Sequence, residues 1–502
     1  MIKKVEPLSE IQRFYEGSNV FVTGATGFIG NLLIEKLLRS CVINKLFLLV
    51  RPKKNKEPAV RLREMFSSAL FDRLWNEQPD FIKKVFLIQG DCVEPNLGLS
   101  VADVEYLVAN MDIVIHCAAK TKFNGPLKNT GLINVRSTRD LLLIARRMDR
   151  LKAFVYVSTV FSNPNQSVID ETIHDCHIKG DLLINMVENM SDSLIDSITP
   201  ECLGTWPNTY TLSKCVAENT VKQYGQNMPI CIARPAIVLF TDKEPISGWA
   251  TGLKSLTGLC LGLGLGVIRV LPGKRDITLR AVPADKVANM IITSAWNATK
   301  TRSTPSIPVF NYVLNSTAPR LIFGHTMDYI VDSISNKKLT SEKQVWKPSV
   351  TINSSNVLYT ILFFLYHYVP AALADIYLWI IGKETRVVKL CKNLDIMIRE
   401  IMYFVNSEFK FDDKHLQALI MTQSDKDKKL FAFDLSGMEW ETYLMKSISG
   451  SRKYVLKDSD DTTESQKRYQ KILIIYYIFH SILNSCILYV LYRLLKIIFT
   501  IN

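Results

Sequence analysis

The ten cysteines of this chain include no CxxC pair and no Cys/His cluster at zinc-ligand spacing, which excludes the common structural zinc modules. Reduced thiols in a cytosol-facing protein are the simplest account of them. The opening stretch, MIKKVEPLSEIQRFYEG, lacks an apolar h-region, so no cleaved signal peptide is expected. Internal repeats and extended low-complexity segments are missing, which sets aside repeat architectures and a largely unstructured chain. The formal charge of +13 is not matched by any RNA- or DNA-binding module, and Lys and Arg are scattered. Nucleic acid is therefore not an expected partner, and no metal is expected.

What is present is length and apolar patterning. At 502 residues there is room for two or three domains. Ile472 to Leu491, ILIIYYIFHSILNSCILYVL, is an uncharged run of about the 20 residues needed to cross a ~30 Å hydrocarbon core. His480, Ser481, Asn484 and Ser485 weaken it, and basic residues lie on both sides, Lys467, Arg468 and Lys471 before it and Arg493 and Lys496 after. The positive-inside rule therefore gives no orientation. Basic character beside apolar segments suits an anionic membrane surface or a phosphate-bearing substrate. A membrane location is expected, with the catalytic part facing the cytosol. Endoplasmic reticulum is favoured over peroxisome because the chain ends Thr-Ile-Asn and not Ser-Lys-Leu.

Val20 to Gly30, VFVTGATGFIG, joins an apolar strand to a helix through Gly24, Gly27 and Gly30. Such a turn lets backbone N–H groups approach a diphosphate at a helix N-terminus, the mark of a dinucleotide site. The next strand ends in Arg51, followed by Lys53 and Lys54, where an NAD-binding chain would carry Asp or Glu for the ribose 2′-hydroxyl. Cations there suit a 2′-phosphate, so NADPH is the expected cofactor.

From about residue 17 to 240, short apolar strands alternate with helical patterns, the signature of a parallel sheet flanked by helices. Strands are expected at 19–23, 45–50, 84–88, 112–116, 153–158 and 229–233, forming a doubly wound Rossmann-type α/β sheet with the ligand at the strands' carboxyl ends. The domains expected are 15–290 for the cofactor-binding reductase part, 291–350 for the rest of a substrate-side region, 351–450 for a mainly helical C-terminal domain, 451–471 for a linker and 472–492 for the membrane segment. Gly252 to Gly266 reads as a substrate-side insertion. Val357 to Ile381, apolar but carrying His367, Pro370 and Asp375, reads as an amphipathic or buried helical pair with a lipid-facing surface more than as a span.

Tyr210 and Lys214, in NTYTLSKCVAE, share one helix face a turn apart. An ammonium beside a phenol favours the phenolate, helps proton delivery to an alkoxide, and can hold a nicotinamide ribose. AFVYVSTVFSN ends a strand with Ser158 and Thr159 at the carboxyl edge; Thr159 is the preferred oxyanion donor, while Ser158 can face the sheet instead. Asn134, in GLINVRSTRDLL, has two readings, a bridge from Lys214 to water or a cap on a backbone irregularity.

Together the glycine loop, Asp91 in IQGDCVEPNLGLS, HCAAKTKFN from His116, Asn134, the VSTVFSN strand end, Tyr210 with Lys214, and ARPAIV from Ala233 resemble the extended short-chain dehydrogenases/reductases (SDR). NLGLS, PISGW with Pro245, Gly248 and Trp249, FKFDDKHLQAL and FAFDLSGMEWETYL are similar to eukaryotic, insect-like fatty acyl-CoA reductases over about residues 15 to 450. The resemblance implies reduction of a long-chain acyl-CoA to a primary alcohol by two NADPH through a retained aldehyde. It implies cofactor contacts from Thr23, Gly24, Thr26, Gly27, Phe28, Ile29, Gly30, Arg51, Asp91, Cys92, Ala118, Ala119, Lys214 and Pro235. Catalytic roles fall to Tyr210, Lys214, Thr159, Ser158 and Asn134, and substrate contacts to Phe123, Phe161 and Trp249. Membrane lipid is an expected partner, and a homo-oligomer is left open. Val160 and Phe161 depart from the family's usual Ala-Tyr after Ser-Thr, which puts chain-length preference out of reach. Two other readings remain: a sterol- or aldehyde-directed dehydrogenase on the same fold, and a catalytically silent lipid-binding protein.

Overall fold

The computed structural model describes residues 7–53, 55–252, 255–299, 306–314, 317–336 and 339–501. Seven parallel strands form its central sheet: β1 (Asn19–Thr23), β2 (Lys45–Val50), β3 (Val85–Gln89), β4 (Ile113–His116), β5 (Ala153–Val157), β6 (Ile230–Pro235) and β7 (Val309–Tyr312). Their order is β7-β6-β5-β4-β1-β2-β3, so the winding reverses between β1 and β4, where Thr23 stands opposite His116. A ligand crevice is expected at such a reversal. Strands β1, β4, β5 and β6 are buried throughout because helices cover both faces, and this is why they read as unbroken apolar runs and not as alternation. The core between sheet and helices takes in Phe21, Val114, Phe154, Leu212, Val216 and Ile232.

The sheet holds one strand more than the six expected. β7 lies beyond the alternating region, after an intervening helix Ala284–Ala298, and its four residues VFNY carry too little pattern to stand out. It pairs with β6 along Ile232 to Pro235.

The chain divides into two compact units that interleave in sequence. The first is 1–247, 280–320 and 407–439, and it holds the sheet; the second is 248–279, 321–406 and 440–502. Consecutive domains were the expectation from composition, yet the segment 407–439 returns to the first unit: Tyr312 donates to the Phe433 carbonyl at 2.7 Å and Asn311 to that of Asp412 at 2.8 Å.

The second unit is mainly helical, with Ser255–Gly264, Phe323–Ser335, Val387–Asn406 and Trp440–Gly450 among its helices, and a short parallel pair of Val270–Pro272 with Thr351–Asn353. Residues 253–254 of the Gly252–Gly266 stretch lie outside the described residues; Leu256, Leu259 and Leu263 are fully buried. The expected linker at 451–471 is structured: Ser451–Leu456 continues the preceding helix as a π-helical turn, and the last helix already begins at Thr463. By length and composition, Asn356–Ile380 and Thr463–Arg493 are each apolar enough to cross a membrane.

Candidate active site

The cofactor loop follows β1. Gly24 has φ +74°, and a Cβ there would meet the Ala118 backbone nitrogen at 2.7 Å, so the loop and the end of β4 approach as only glycine permits. A Cβ on Gly30 would lie 2.2 Å from the Gly24 carbonyl oxygen, which holds the first turn of the helix Phe28–Ser40 against the loop. That helix starts at Gly27 without a side-chain cap, leaving its N-terminal end suited to an anion. Backbone approach and bare N-terminus together fit a dinucleotide diphosphate.

A buried polar network links this loop to the catalytic helix. Thr138 donates to the Asn134 carbonyl at 2.7 Å, so its oxygen is the acceptor for His116 Nε2 at 3.1 Å. His116 therefore carries its proton on Nε2, and Nδ1 accepts from Thr23 Oγ1 at 2.6 Å. Burial, with the charge of Lys214 adding to it, pushes the His116 pKa down to about 3, so the ring is neutral. The Tyr156 ring lies 5.8 Å from that of His116, and the Tyr156 hydroxyl accepts from Lys214 Nζ at 3.2 Å. Lys214 donates in addition to the Val157 carbonyl at 2.7 Å, with its ammonium 4.7 Å from the Tyr156 ring centre.

Tyr210 and Lys214 sit on the helix Thr209–Tyr224, whose N-terminus is capped by Asn208. The Tyr210 ring lies 5.9 Å from that of Phe123, and Thr209 Oγ1 fixes the intervening loop through the Phe123 and Gly125 carbonyls. Lys214 was expected to draw the phenol toward phenolate. Instead its two hydrogen bonds go to β5, and Tyr210 is raised above the ordinary tyrosine value by burial, against a hydrogen bond with Thr159 that lowers it. The correction has a plain cause: Tyr156, on the strand beneath, takes the ammonium. Lys214 itself is pushed down to about 8 by burial, opposed by Glu218 one turn further on.

Ser158 turns to the sheet-helix interface and donates to Glu218 Oε1 at 2.5 Å. The same carboxylate holds Arg234 bidentately, Nε at 2.9 Å and Nη2 at 2.6 Å, and both side chains are sealed from solvent. Thr159 stays at the edge, its Oγ1 accepting from the Phe161 backbone N–H at 3.3 Å. Asn134 lies in a π-helical turn, Leu132–Arg136, a distortion common at functional sites. It clamps the Lys120 backbone, accepting at 2.7 Å and donating at 3.1 Å, and donates to Ser213 Oγ at 2.8 Å. Of its two readings this geometry matches the cap on a backbone irregularity.

Arg51 is half-exposed and pairs with Asp91 at 3.1 Å. Beside it stands a residue the sequence reading missed: Arg61 donates to Thr26 Oγ1 at 2.8 Å and to the Arg51 carbonyl. Its helix, Pro58–Phe66, gave no motif to single it out. Lys54 lies outside the described residues. Ala118 N donates to Thr23 Oγ1 at 3.3 Å, Ala119 is half-buried on the same stretch, and Phe28 and Ile29 open the helix after the loop. The Cys92 side chain packs into the core, where burial raises its thiol to about 12; only its backbone is left for a ligand. Pro235 ends β6, buried. Phe161 is buried near Phe409 and Phe411, ring centres 6.3 and 6.4 Å away, while Trp249 belongs to the second unit.

Two family models, both described as male sterility protein, match this chain, an NAD-binding one over residues 22–291 and a second over 366–458. The fatty acyl-CoA reductase wat of Drosophila melanogaster is 34% identical over 502 residues, covering 99% of this chain and 96% of its own. The chain belongs to the fatty acyl-CoA reductase family. Fatty acyl-CoA reductase 1 of Homo sapiens is 34% identical, with 94% of this chain and 92% of that one covered. Among solved structures, the terminal R domain from the myxalamid PKS-NRPS pathway aligns with a TM-score of 0.56 at 20% identity, covering 87% of this chain and 90% of that one, a likeness of fold. With this membership the extended SDR architecture and a nicotinamide cofactor are established, and the chain is an oxidoreductase.

Proposed function

We propose that the chain reduces a long-chain fatty acyl-CoA to the primary alcohol, using NADPH twice and retaining the aldehyde between the steps. The observation that carries this reading is Tyr210 near Thr159 at the carboxyl edge of β5, with Lys214 a turn further along the same helix. A bound nicotinamide cofactor supplies hydride. Because burial keeps the Tyr210 phenol protonated at neutral pH, it serves as a donor: Tyr210 and Thr159 hydrogen-bond the thioester oxygen as charge develops there, and collapse expels coenzyme A. In the second step Tyr210 gives its proton to the alkoxide. Lys214, held by Tyr156 and the Val157 carbonyl, orients the nicotinamide ribose, and the phenol regains its proton from water when the product leaves. Asn134 and Ser158 position these groups, and Phe123 and Phe161 contact the acyl chain.

NADPH is favoured over NADH by two guanidinium groups, that of Arg61 on Thr26 of the loop and that of Arg51 at the end of β2. Arg61 is lowered from its ordinary pKa by burial and then by the like charge of Arg51, a repulsion that a 2′-phosphate would relieve. The helix Thr463–Arg493 anchors the protein, by this reading in the endoplasmic reticulum membrane with the site facing the cytosol.

The test is an assay of the membrane-reconstituted full chain with palmitoyl-CoA and NADPH. Two NADPH oxidised and one free thiol released are expected for each alcohol formed, with product abolished in Tyr210→Phe. One NADPH per product without thiol release would point to an aldehyde- or sterol-directed enzyme, and equal product from Tyr210→Phe would remove the assigned acid.

A further inference from the structure

The helix Asn356–Ile380 has two unlike faces. Tyr359, Phe363, His367 and Ala371, each four residues from the last, are buried against the rest of the second unit. The Phe363 ring stacks on His367 at 4.1 Å, His367 Nε2 accepts from the Arg269 backbone at 3.1 Å, and Tyr359 donates to Asp395 at 2.7 Å. On the opposite face Val357, Ile361, Leu365, Val369, Leu373, Ile376 and Ile380 recur every three or four residues, all exposed; Leu373, Ile376 and Ile380 are 62, 54 and 68% accessible. At 1.5 Å per residue this stripe runs about 36 Å, a length of bare hydrocarbon that water does not tolerate in an isolated surface helix.

A lone crossing helix would show apolar side chains to lipid on every side, whereas here one side is taken by protein for the first four turns. The chain then turns back. Asp375 accepts from the Val387 and Val388 backbone N–H groups, both at 2.9 Å, and so caps the returning helix Val387–Asn406. That helix carries Lys389, Lys392, Asp395, Arg399 and Glu400, too many charges to recross a hydrocarbon core. Lys383, Arg386, Lys389 and Lys392 are exposed at the turn and just beyond it, cations beside the apolar stripe.

We infer that the helix Asn356–Ile380 lies in the plane of an anionic bilayer surface, its outward stripe sunk below the headgroups and the four cations among them, and that it does not span. Apolar burial with basic residues at the polar boundary is the balance that holds amphipathic helices at an interface. This contact is separate from the C-terminal helix and does not depend on the catalytic assignment.

The test uses the full chain in proteoliposomes of phosphatidylcholine with phosphatidylserine. An environment-sensitive fluorophore is placed at Leu365→Cys, near the middle of the helix, with Lys389→Cys as the polar reference. Both are made with Cys486→Ser, since Cys486 is the exposed cysteine among the described residues. Leu365 is itself exposed, so the substitution leaves the core untouched. The probe at 365 should be quenched more by a spin label high on the lipid acyl chain than by one near its terminal methyl, and the probe at 389 by aqueous iodide. Omitting phosphatidylserine should weaken the shallow quenching. Stronger quenching of the 365 probe by the deep label would mean a span, quenching at 365 by iodide alone would mean a face turned to water or a soluble partner, and indifference to phosphatidylserine would remove the anionic headgroups; each outcome overturns the inference.

Discussion

Replacing Tyr156 with Phe isolates one interaction, because the ring that faces the Lys214 ammonium at 4.7 Å is kept while the hydroxyl that accepts from it at 3.2 Å is lost. A hydrogen bond to a charged group contributes about 1.5–3 kcal/mol. One pKa unit corresponds to about 1.36 kcal/mol, so losing an acceptor that favours the charged form should lower Lys214 by about 1–2 units. It stands at about 8 in the wild-type fold. In Tyr156→Phe it should therefore titrate at about 6–7. The sign follows from the ammonium being the form that grips the cofactor: NADPH affinity should fall as pH rises through the lysine's pKa, and the variant should begin to lose affinity earlier. Fluorescence titration of NADPH binding across neutral to alkaline pH reads the midpoint directly, without turnover. Lys214→Ala should abolish the dependence. If the midpoint in Tyr156→Phe coincides with that of the wild type, Tyr156 does not hold the lysine and the polar network from Thr23 ends short of it.

Arg61→Ala should weaken NADPH by about ten- to a hundredfold, the worth of a charge-assisted contact, while NADH is nearly unaffected; equal loss for both cofactors in KM comparisons would place Arg61 elsewhere. Glu218→Gln should cost about 3–5 kcal/mol in urea unfolding because it leaves the Arg234 charge buried without its counter-ion. A loss below about 1 kcal/mol would show that the Asp170 and Thr172 carbonyls, which Arg234 reaches at 2.9 and 2.7 Å, suffice for it.

Much of the cofactor half was legible because its constraints are local. A glycine that must pass the Ala118 backbone, a helix opening without a cap and a run of buried strand residues all leave marks within a few positions. The partnership of Tyr156 with Lys214 leaves none, since it joins residues 58 apart. In hindsight a register rule shows it: Tyr156 and Ser158 are two apart on a strand, Lys214 and Glu218 four apart on a helix, and those spacings match across a packed interface. Arg61 was invisible for another reason, as an arginine on an amphipathic helix looks like any solvated cation until the loop beside it is placed. The amphipathic reading of Val357–Ile381 agrees with an exposed apolar stripe, but which residues form the protein-side stripe depends on contacts with Arg269 and Asp395, distant in sequence.

The interleaving of the two units governs the order in which a ribosome can deliver a finished enzyme. Residues 407–439 supply the partners of Asn311 and Tyr312 on the sheet's outer strand, yet they emerge only after the whole stretch 321–406. The nascent sheet must wait with that edge incomplete while the apolar helices of 356–406 leave the exit tunnel, the interval in which an open strand and bare hydrocarbon are most prone to stray association. A truncation placed after the Rossmann pattern, however sensible it looks from sequence, would freeze the chain in that unfinished condition.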